Sequence, residues 1–253
     1  MKISIVTAVF NRADTIADAV KSVQAQTHEL VEHVIQDGGS TDGTLDIIEA
    51  HETANTHLVS EPDRGIYDAI NKGISRASGE VVGLMHSDDF FAHENVLKRI
   101  AELFQDVQID GVYGDLDYVS ARSINKVIRH WRSGPYDRTQ LKHGWMPPHP
   151  TLYLRREVFE EWGLYDPNFR IAADYDAMLR YLWTGQIKLA YLPEVLVKMR
   201  VGGESNRSLK HIVKKSREDY LALRRNGVGG AGALFAKNTS KLKQFMIRER
   251  PVP

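Results

Sequence analysis

Short apolar runs alternate with segments of helical period through the first hundred residues. The fourth run, EVVGLMH, is nearly all apolar before its polar end, as expected of a strand buried on both faces. Repeated strand–helix units favour a parallel sheet joined by right-handed crossovers. We expect Ser40 or Thr41 to cap the second helix. The predicted strands are 3–10, 31–37, 57–62 and 80–86, and the predicted helices are 14–26, 44–52, 66–77 and 94–104.

The pattern is less regular after residue 104. Two strands joined by a turn come first, and a loop rich in Gly, Pro and His follows them over 133–150. Near the end, a helix precedes a glycine-rich stretch that indicates a flexible break at 227–233. The other predicted elements are strands at 111–119, 124–131 and 151–156, one or two strands over 189–200, and helices at 156–163, 174–183 and 207–225.

Charge is distributed unevenly along the chain, although the formal net charge is zero. From Arg200 to the end there are 13 Lys and Arg against 4 Asp and Glu, which leaves 20 against 29 in the preceding 199 residues. A basic tail is either a solvated helix face or a contact for anionic lipid or phosphate. With no cysteine, disulfides, thiolate metal sites and a cysteine nucleophile are excluded.

Targeting signals are not apparent in the sequence. No apolar run approaches the roughly 20 residues needed to span a bilayer, and the start lacks the apolar segment of a signal peptide. We therefore expect a cytoplasmic protein that can also sit peripherally on the inner face of the plasma membrane. No nucleic-acid partner is expected.

Polar residues follow each of the first four predicted strands. Thr7 ends the first, Asp37 ends the second, residues 61–64 follow the third and Ser87–Asp89 follow the fourth. In open α/β sheets, ligands bind beyond the carboxyl ends of the strands. The four strand ends are therefore expected to meet at one crevice.

Three segments at these strand ends carry a family resemblance. TAVFNR, QDGGSTDGT and SEPDRGIYDAINKGISRASGEVVGLMHSDD together resemble the family 2 nucleotide-diphospho-sugar glycosyltransferases of the GT-A fold, over about residues 1–205. The resemblance implies an α/β fold with a Rossmann-like, mostly parallel central sheet flanked by helices. It also implies a nucleotide-binding half over 1–105, a smaller acceptor-binding half over 106–205, and a basic helical tail over 206–253.

The function implied by this resemblance is inverting transfer of a sugar from a nucleoside-diphosphate sugar. A UDP-sugar is the favoured donor and a GDP-sugar the alternative, and the acceptor is a hydroxyl of a glycan or lipid-linked acceptor in cell-surface or exopolysaccharide biosynthesis. A sugar-nucleotide nucleotidyltransferase is a second hypothesis, but VTAVFNRAD lacks the GxGxR-type loop such an enzyme needs. A third hypothesis is an inactive nucleotide-sugar-binding module. The presence of Asp37, Asp89 and Asp174 is evidence against it.

The adjacent carboxylates of the segment SDD are similar to the family's DXD-type metal site. Asp89 is the expected direct ligand of Mg²⁺ or Mn²⁺, and Asp88 is expected nearer the ribose or donor sugar. A divalent cation neutralises the charge on the leaving diphosphate, and carboxylates suit such a cation. The alternative is that one of the two aspartates merely caps the next helix.

The nucleotide pocket is assigned from the same resemblance. Asp37 is similar to the family aspartate that recognises the nucleobase, and Thr7 to another residue of the base pocket. Arg64 is similar to a basic residue that reaches the nucleotide, with Asp68 orienting it. The alternatives are that Asp37 and Asp42 only form turns, and that Arg64 and Asp68 are an ordinary pair on a helix.

The catalytic base is expected in the segment RIAADYDAMLRYLW. Displacement at the anomeric carbon requires a carboxylate that accepts the proton of the acceptor hydroxyl. By the resemblance Asp174 is the candidate, while Asp176 lies in the first turn of the helix and Ala173 replaces an acid common in the family. The alternative is that Asp174 is only an N-cap.

The loop at 143–153 is a candidate for the acceptor or donor-sugar pocket. Trp145 or Tyr153 could stack on a sugar ring, and His149 could bond a sugar hydroxyl. The alternative is that these side chains pack against the body of the protein.

The segment MRVGGESN, 199–206, resembles a family segment that closes over the diphosphate. Arg200 is expected to pair with phosphate there, and Gly202 and Gly203 would allow hinge motion. His211 is a weaker candidate for completing the metal shell. The basic helix beyond it either lies on an anionic membrane or packs against the catalytic domain or a second subunit.

Overall fold

The computed structural model of the chain describes residues 1–201 and 209–237, with side chains described from Ile212 onward in the second range. Strands and helices alternate through the first hundred residues, as predicted. The strands are β1 Ile3–Val9, β2 Val31–Asp37, β3 Thr56–Ser60, β4 Val81–Leu84, β5 Phe90–Phe91, β6 Gly111–Ser120, β7 Ser123–Trp131, β8 Tyr153–Arg155 and β9 Leu189–Val201.

The helices pack on both faces of the sheet that these strands form. The sixth ends in a π turn at Arg180–Thr184, and two short 3₁₀ turns occupy Arg138–His143 and His149–Thr151. The helices are α1 Ile16–Gln24, α2 Thr44–Glu49, α3 Ile66–Arg76, α4 Val96–Leu103, α5 Arg156–Trp162, α6 Ala173–Leu179, α7 Leu209–Arg225 and α8 over 231–237.

One nine-stranded mixed sheet runs through the described residues, in the order β3-β2-β1-β4-β8-β6-β9-β5, with β7 paired to β6. The first four strands are parallel to one another, as the repeated strand–helix units predict. Strand β4 is buried along its whole length. The α/β fold class with a mostly parallel nucleotide-side sheet is therefore confirmed.

The register of the parallel strands aligns their polar ends. Val9 at the end of β1 pairs with Asp37 at the end of β2, and Asp37 pairs with Ser60 at the end of β3. Helix α1 anchors this part of the sheet because Ile16, Ala19, Val20 and Val23 form one buried face. The carboxyl ends of β1, β2 and β3 therefore lie side by side, as the expected crevice requires.

The second half of the sheet is built differently. Strand β8 runs antiparallel to both β4 and β6 and so joins the two halves, while β6 and β9 are parallel. The last predicted strand segment forms one long strand, which also pairs with the two-residue β5. Strand β5 is too short to give a periodic signal in the sequence.

The C-terminal residues that the structure describes pack on the second half. Ala222 and Leu223 of α7 are fully buried. The stretch 227–233, predicted to be a flexible break, turns at Gly227 (φ +67) and leads into α8. Lys237 is 1% exposed, and its Nζ lies 2.8 Å from Asp219 Oδ1 and 3.0 Å from the centroid of the Tyr175 ring. The predicted break therefore covers the turn between α7 and α8 and the first residues of α8, and its flexibility stays a prediction, while α8 folds back and buries a cation.

None of the helices in the described part of the chain is both long and apolar enough to cross a bilayer.

Candidate active site

The nucleotide side of the crevice is organised around Asp37, whose side chain is fully buried. Its carboxylate accepts the backbone N–H groups of Gly39 and Ser40, both at 2.9 Å. It also accepts the hydroxyls of Ser40 at 2.5 Å and Ser60 at 2.6 Å. Asp37 therefore anchors the turn after β2, as the turn-forming alternative holds, and nucleobase recognition by it stays a prediction.

The loops after β1 and β2 are joined by side-chain hydrogen bonds. The Ser40 hydroxyl accepts the N–H of Asn11, and the Asn11 side chain accepts the N–H of Thr41. Asp42 accepts the N–H of Thr44 and so forms a turn, as predicted. Helix α2 begins after Gly43 with no side-chain cap, so the capping role expected for Ser40 or Thr41 is wrong.

Thr7 lies inside the sheet. It is fully buried, and its Oγ1 is 2.9 Å from Nε2 of His33, which is also buried. Burial lowers the pKa of His33 to about 3, so the imidazole is neutral at ordinary pH. The Thr7 hydroxyl is thus engaged with β2, and its role in the base pocket stays a prediction.

Arg64 projects from the start of α3 into solvent, with 80% of its side chain exposed. Its Nη2 lies 3.0 Å from Asp68 Oδ1, and its backbone N–H donates to the same carboxylate. The Arg64 guanidinium is the leading cause that lowers the pKa of Asp68. The expected orientation of Arg64 by Asp68 is therefore present, and phosphate contact stays a prediction.

Asp88 and Asp89 lie in the turn between β4 and β5. Asp89 is 1% exposed and its Oδ1 accepts the N–H of Arg200 at 3.1 Å, whereas Asp88 is only partly buried. Burial, and then the charge of Asp88, raise the pKa of Asp89 well above its ordinary value. Helix α4 begins at Val96 after Asn95, so neither aspartate caps it and the capping alternative is wrong.

Arg200 contacts both residues of this turn and is itself 9% exposed. Its guanidinium pairs with Asp18, donates to the backbone carbonyl of Asp88 at 2.6 Å and lies 5.1 Å from the centroid of the Phe90 ring. On its other side it lines an open cavity of about 570 Å³ with the β6–β7 hairpin tip. Arg200 thus supports the turn at 88–89, and its pairing with a donor phosphate stays a prediction.

Two carboxylates are available for a divalent cation at this turn. No cluster of three or more His, Cys, Asp or Glu suited to a metal occurs among the described residues, and the His211 side chain lies outside them. Mg²⁺ is commonly held by one or two carboxylates together with waters and substrate phosphates. The raised pKa of Asp89 also reflects mutual repulsion that a cation would relieve. The residues therefore fit the implied metal, with Asp89 more deeply buried than Asp88.

The candidate base Asp174 lies in the first turn of α6. Ala172 occupies the N-cap position, so the plain N-cap alternative for Asp174 is wrong. The Tyr67 hydroxyl lies 3.2 Å from Asp174 Oδ1. Asp176, by contrast, is 1% exposed and accepts a hydrogen bond from Asn226. Asp174 is therefore the more accessible of the two carboxylates.

Opposing effects set the protonation of Asp174. Burial raises its pKa, but nearby His149, Lys215 and Lys237 outweigh burial together with a backbone hydrogen bond. Its pKa consequently lies below the ordinary value, and the group is a carboxylate at neutral pH. In this form it can accept a proton from an acceptor hydroxyl.

Two imidazoles lie between the donor-side carboxylates and the base. The rings of His149 and His86 are 5.8 Å apart, and His149 Nε2 is 2.9 Å from the Tyr165 hydroxyl. Burial lowers the pKa of His149 to about 4. Burial also lowers the pKa of His86, against the charges of both Asp88 and Asp174. The charges of Asp88 and Asp174 therefore both act on the one imidazole of His86.

Sequence analysis did not identify His86, Tyr67 and Tyr165 as candidate site residues. His86 precedes SDD directly after β4, and its place at a strand end could have revealed it. Tyr67 and Tyr165 stack at 6.0 Å but lie far apart in the chain, so no local pattern links them.

The aromatic candidates of the 143–153 loop pack against the protein body. The Trp145 indole donates to the Ser133 carbonyl at 3.1 Å, and its ring contacts Tyr113 and Tyr136. Tyr153 is fully buried in β8. Tyr153 therefore cannot stack on a sugar, and the contacts of Trp145 match the packing alternative.

Sequence comparison places the chain among known transferases. The sequence model described as Glycosyl transferase family 2 matches residues 4–163. The chain is 34% identical to an uncharacterized glycosyltransferase of Nostoc sp. over 217 residues, covering 81% of this chain and 66% of the relative. It is 31% identical over 208 residues to a PGL/p-HBAD biosynthesis glycosyltransferase of Mycobacterium tuberculosis, covering 80% of this chain and 78% of the relative. The chain thus spans about two thirds of the Nostoc relative's length.

Solved structures share the fold at low sequence identity. TarS of S. aureus superposes with a TM-score of 0.68 at 17% identity, over 99% of this chain and 44% of TarS. A mannosyltransferase of Pyrobaculum calidifontis, in complex with GDP-Man and Mn²⁺, superposes with a TM-score of 0.65 at 16% identity, over 99% of this chain and 76% of that chain. The fold and the sequence match agree, and this chain belongs to glycosyltransferase family 2.

Proposed function

We propose that this protein is an inverting, metal-dependent glycosyltransferase acting on a nucleoside-diphosphate sugar, with a UDP-sugar favoured over a GDP-sugar. The acceptor is a hydroxyl of a glycan or lipid-linked acceptor in cell-surface or exopolysaccharide biosynthesis. The observation that carries the proposal is the meeting of the Asp88–Asp89 turn and Asp174 around His86 and His149. Structural relatives were solved with UDP-GlcNAc and with GDP-Man, which supports the donor class.

The chemistry is a single displacement at the anomeric carbon. The acceptor oxygen bonds to this carbon as the bond to the diphosphate oxygen breaks, and that oxygen keeps the electron pair. Asp174 takes the hydroxyl proton, because it is ionised and partly exposed. Attack opposite the leaving group inverts the configuration of the anomeric carbon.

The donor side stabilises the leaving diphosphate. Asp89 would hold Mg²⁺ or Mn²⁺, which would supply positive charge for the leaving diphosphate, and Asp88 would lie nearer the ribose or donor sugar. Arg200 keeps the turn in place through the Asp88 carbonyl and the Asp89 carboxylate. Arg64 is exposed and can swing from Asp68 to a phosphate.

The two imidazoles are suited to bind the sugar. A neutral imidazole offers one donor and one acceptor nitrogen. His149 uses Nε2 toward Tyr165, which leaves Nδ1 for a sugar hydroxyl. His86 lies beside it, close enough to Asp88 and Asp174 to feel both charges. His149 therefore remains our candidate for the sugar pocket.

The charge arrangement on α7 supports the proposal of a peripheral membrane contact. Its two acidic residues, Glu218 and Asp219, are buried against the protein. Its outward residues are basic or apolar and suit an anionic lipid surface, where each cation contributes about 1 kcal/mol. These residues are Ile212, Val213, Lys214, Arg217, Tyr220, Leu221 and Arg224, while the exposed Arg225 pairs with Asp166. Sedimentation with phosphatidylserine vesicles should fall in the double variant Lys214→Glu, Arg217→Glu, and equal sedimentation would refute the contact.

A thermal-shift measurement tests the donor and the metal together. We expect Mn²⁺ with UDP to raise the melting temperature more than Mn²⁺ with GDP, since a ligand that binds only the folded state stabilises it. Asp89→Ala should lose the metal-dependent part of the shift. Glu52→Ala, which removes an exposed acid just after α2, is the control and should keep it. A full metal-dependent shift in Asp89→Ala would remove the cation from this turn.

A further inference from the structure

The turn that leads into α6 is clamped by two distant parts of the chain. Glu218 Oε2, on α7, accepts the backbone N–H groups of Ile171 at 2.8 Å and Ala172 at 3.0 Å. From the opposite side, the Tyr67 hydroxyl lies 2.8 Å from the carbonyl oxygen of Ile171 and 3.2 Å from Asp174 Oδ1. Both polar groups of the Ile171 residue are therefore held from outside α6.

Helix α6 provides no such support of its own. It has seven residues, and its N-cap position is Ala172, which has no side-chain acceptor. The first N–H groups of a helix need partners, and an acidic side chain is a favourable one. Because Glu218 is 8% exposed, its carboxylate meets these N–H groups away from bulk water, where charge-assisted hydrogen bonds are strong.

We propose that Glu218 is a positioning residue for Asp174, and this inference rests on the proposed function. Asp174 follows Ala172 by two residues, so the direction of its carboxylate depends on the backbone that Glu218 and Tyr67 fix. A base acts only within hydrogen-bond reach of the proton it takes, and a displacement of about 1 Å can cost about 100-fold in rate.

The role of Glu218 is separable from the docking of α7. Other contacts anchor this helix, including the buried Asp219–Lys237 ion pair, the buried side chains of Ala222 and Leu223, and the bond from Asn226 to Asp176. Removing Glu218 therefore leaves most of the α7 interface intact. What it removes is the acceptor for the two N–H groups before the base.

The test compares Glu218→Ala with Glu218→Gln, whose amide oxygen can still accept both N–H groups. The readouts are amide hydrogen exchange at Ile171 and Ala172, and UDP release from UDP-GlcNAc with water in place of the acceptor. In Glu218→Ala we expect faster exchange at both amides, a 10- to 100-fold lower kcat and a donor KM within about twofold. In Glu218→Gln the exchange rates and kcat should return to within about fivefold of the parent protein.

Asp137→Ala is the matched control. Asp137 also accepts a backbone N–H at the start of a helical turn, that of Thr139, but makes no bond to the turn before Asp174. Its kcat should stay within twofold of the parent value. An unchanged kcat in Glu218→Ala, or a Glu218→Gln variant as impaired as Glu218→Ala, would overturn the positioning role.

Asp174→Asn in the same assay separates this inference from the proposed function. If Asp174→Asn releases UDP at the parent rate, the proposed base is wrong whatever Glu218 does. If Asp174→Asn is inactive while Glu218→Ala is normal, only the positioning role fails. The exchange rates of the two amides test the clamp itself, without any dependence on catalysis.

Discussion

The donor side and the base side of the crevice are held together in different ways. Asp37 receives its hydrogen bonds from Gly39, Ser40 and Ser60, all within 23 residues of it. The base side relies on Tyr67, which is 107 residues from Asp174, and on Glu218, which is 47 residues from Ile171. Local hydrogen bonds therefore preorganise the Asp37 turn, whereas the base side, like the Asp88–Asp89 turn that Arg200 holds, is completed only by residues distant in the chain.

The largest expected effect is on the base side. Asp174→Asn keeps the size of the side chain but cannot accept the acceptor proton as a carboxylate does, so kcat should fall about 10²- to 10⁴-fold. The stabilisation by UDP with Mn²⁺ should be unchanged, because the donor-side contacts remain. A variant that loses donor stabilisation as well would show that the two sides are not separable.

The next effect concerns the donor side. Asp37→Ala leaves four buried or partly buried donors without their acceptor. We expect the free energy of unfolding in urea to fall by about 3 kcal/mol, since orphaned buried donors cost about 1–3 kcal/mol each and some will find water. UDP stabilisation should also be lost. A stable Asp37→Ala protein would mean that the turn does not depend on this carboxylate.

A pair of glycines tests how strongly the C-terminal helix supports the base side. Gly144 has φ +78, and a Cβ there would lie 2.3 Å from the Lys237 Cα. Gly134 has φ +69 but nothing within 4 Å. Both Ala variants carry the left-handed backbone cost of about 1 kcal/mol. The free energy of unfolding in urea should fall by about 1 kcal/mol more in Gly144→Ala than in Gly134→Ala. Equal falls would show that α8 does not pack against this loop.

The smallest effect is a pH dependence from the donor side. The folded pKa of His33 is about 3 against an ordinary value of 6.5, so the unfolded chain takes up the proton first as the pH falls. The contribution of His33 is thus complete above pH 6.5 and is lost as the pH falls toward 3. When the pH is lowered from about 7.5 to about 5.5, the free energy of unfolding in urea should fall by about 1 kcal/mol less in His33→Gln than in the parent protein. An identical fall in both proteins would show that a group other than His33 causes this pH dependence.

The sequence predicted what local patterns can encode. The bounds of β2, the turn at Asp42 and the buried face of α1 all depend on neighbouring residues, and the structure confirms them. Hydrophobic spacing and strand-end polarity were enough for the parallel strands that frame the donor side, whereas the roles of its residues come from the family resemblance and stay predictions. These are short-range signals that a single chain displays.

The missed features depend on tertiary contacts. Tyr67 reads as an ordinary helix residue and Glu218 as part of a charged helix, and only the folded chain brings both to the turn before Asp174. Trp145 is an aromatic in a loop whose partners, Tyr113 and Tyr136, lie in other segments. No periodicity distinguishes such residues from their neighbours.

The buried Lys237–Asp219 pair sets a limit for anyone trimming this enzyme to a smaller working fragment. A version cut after the final strand would keep every sheet contact yet discard both this pair and Glu218. It would also uncover the core on which Ala222, Leu223 and Val228 pack, so its stability should fall together with its turnover. A shortened catalyst should therefore retain the chain through residue 237.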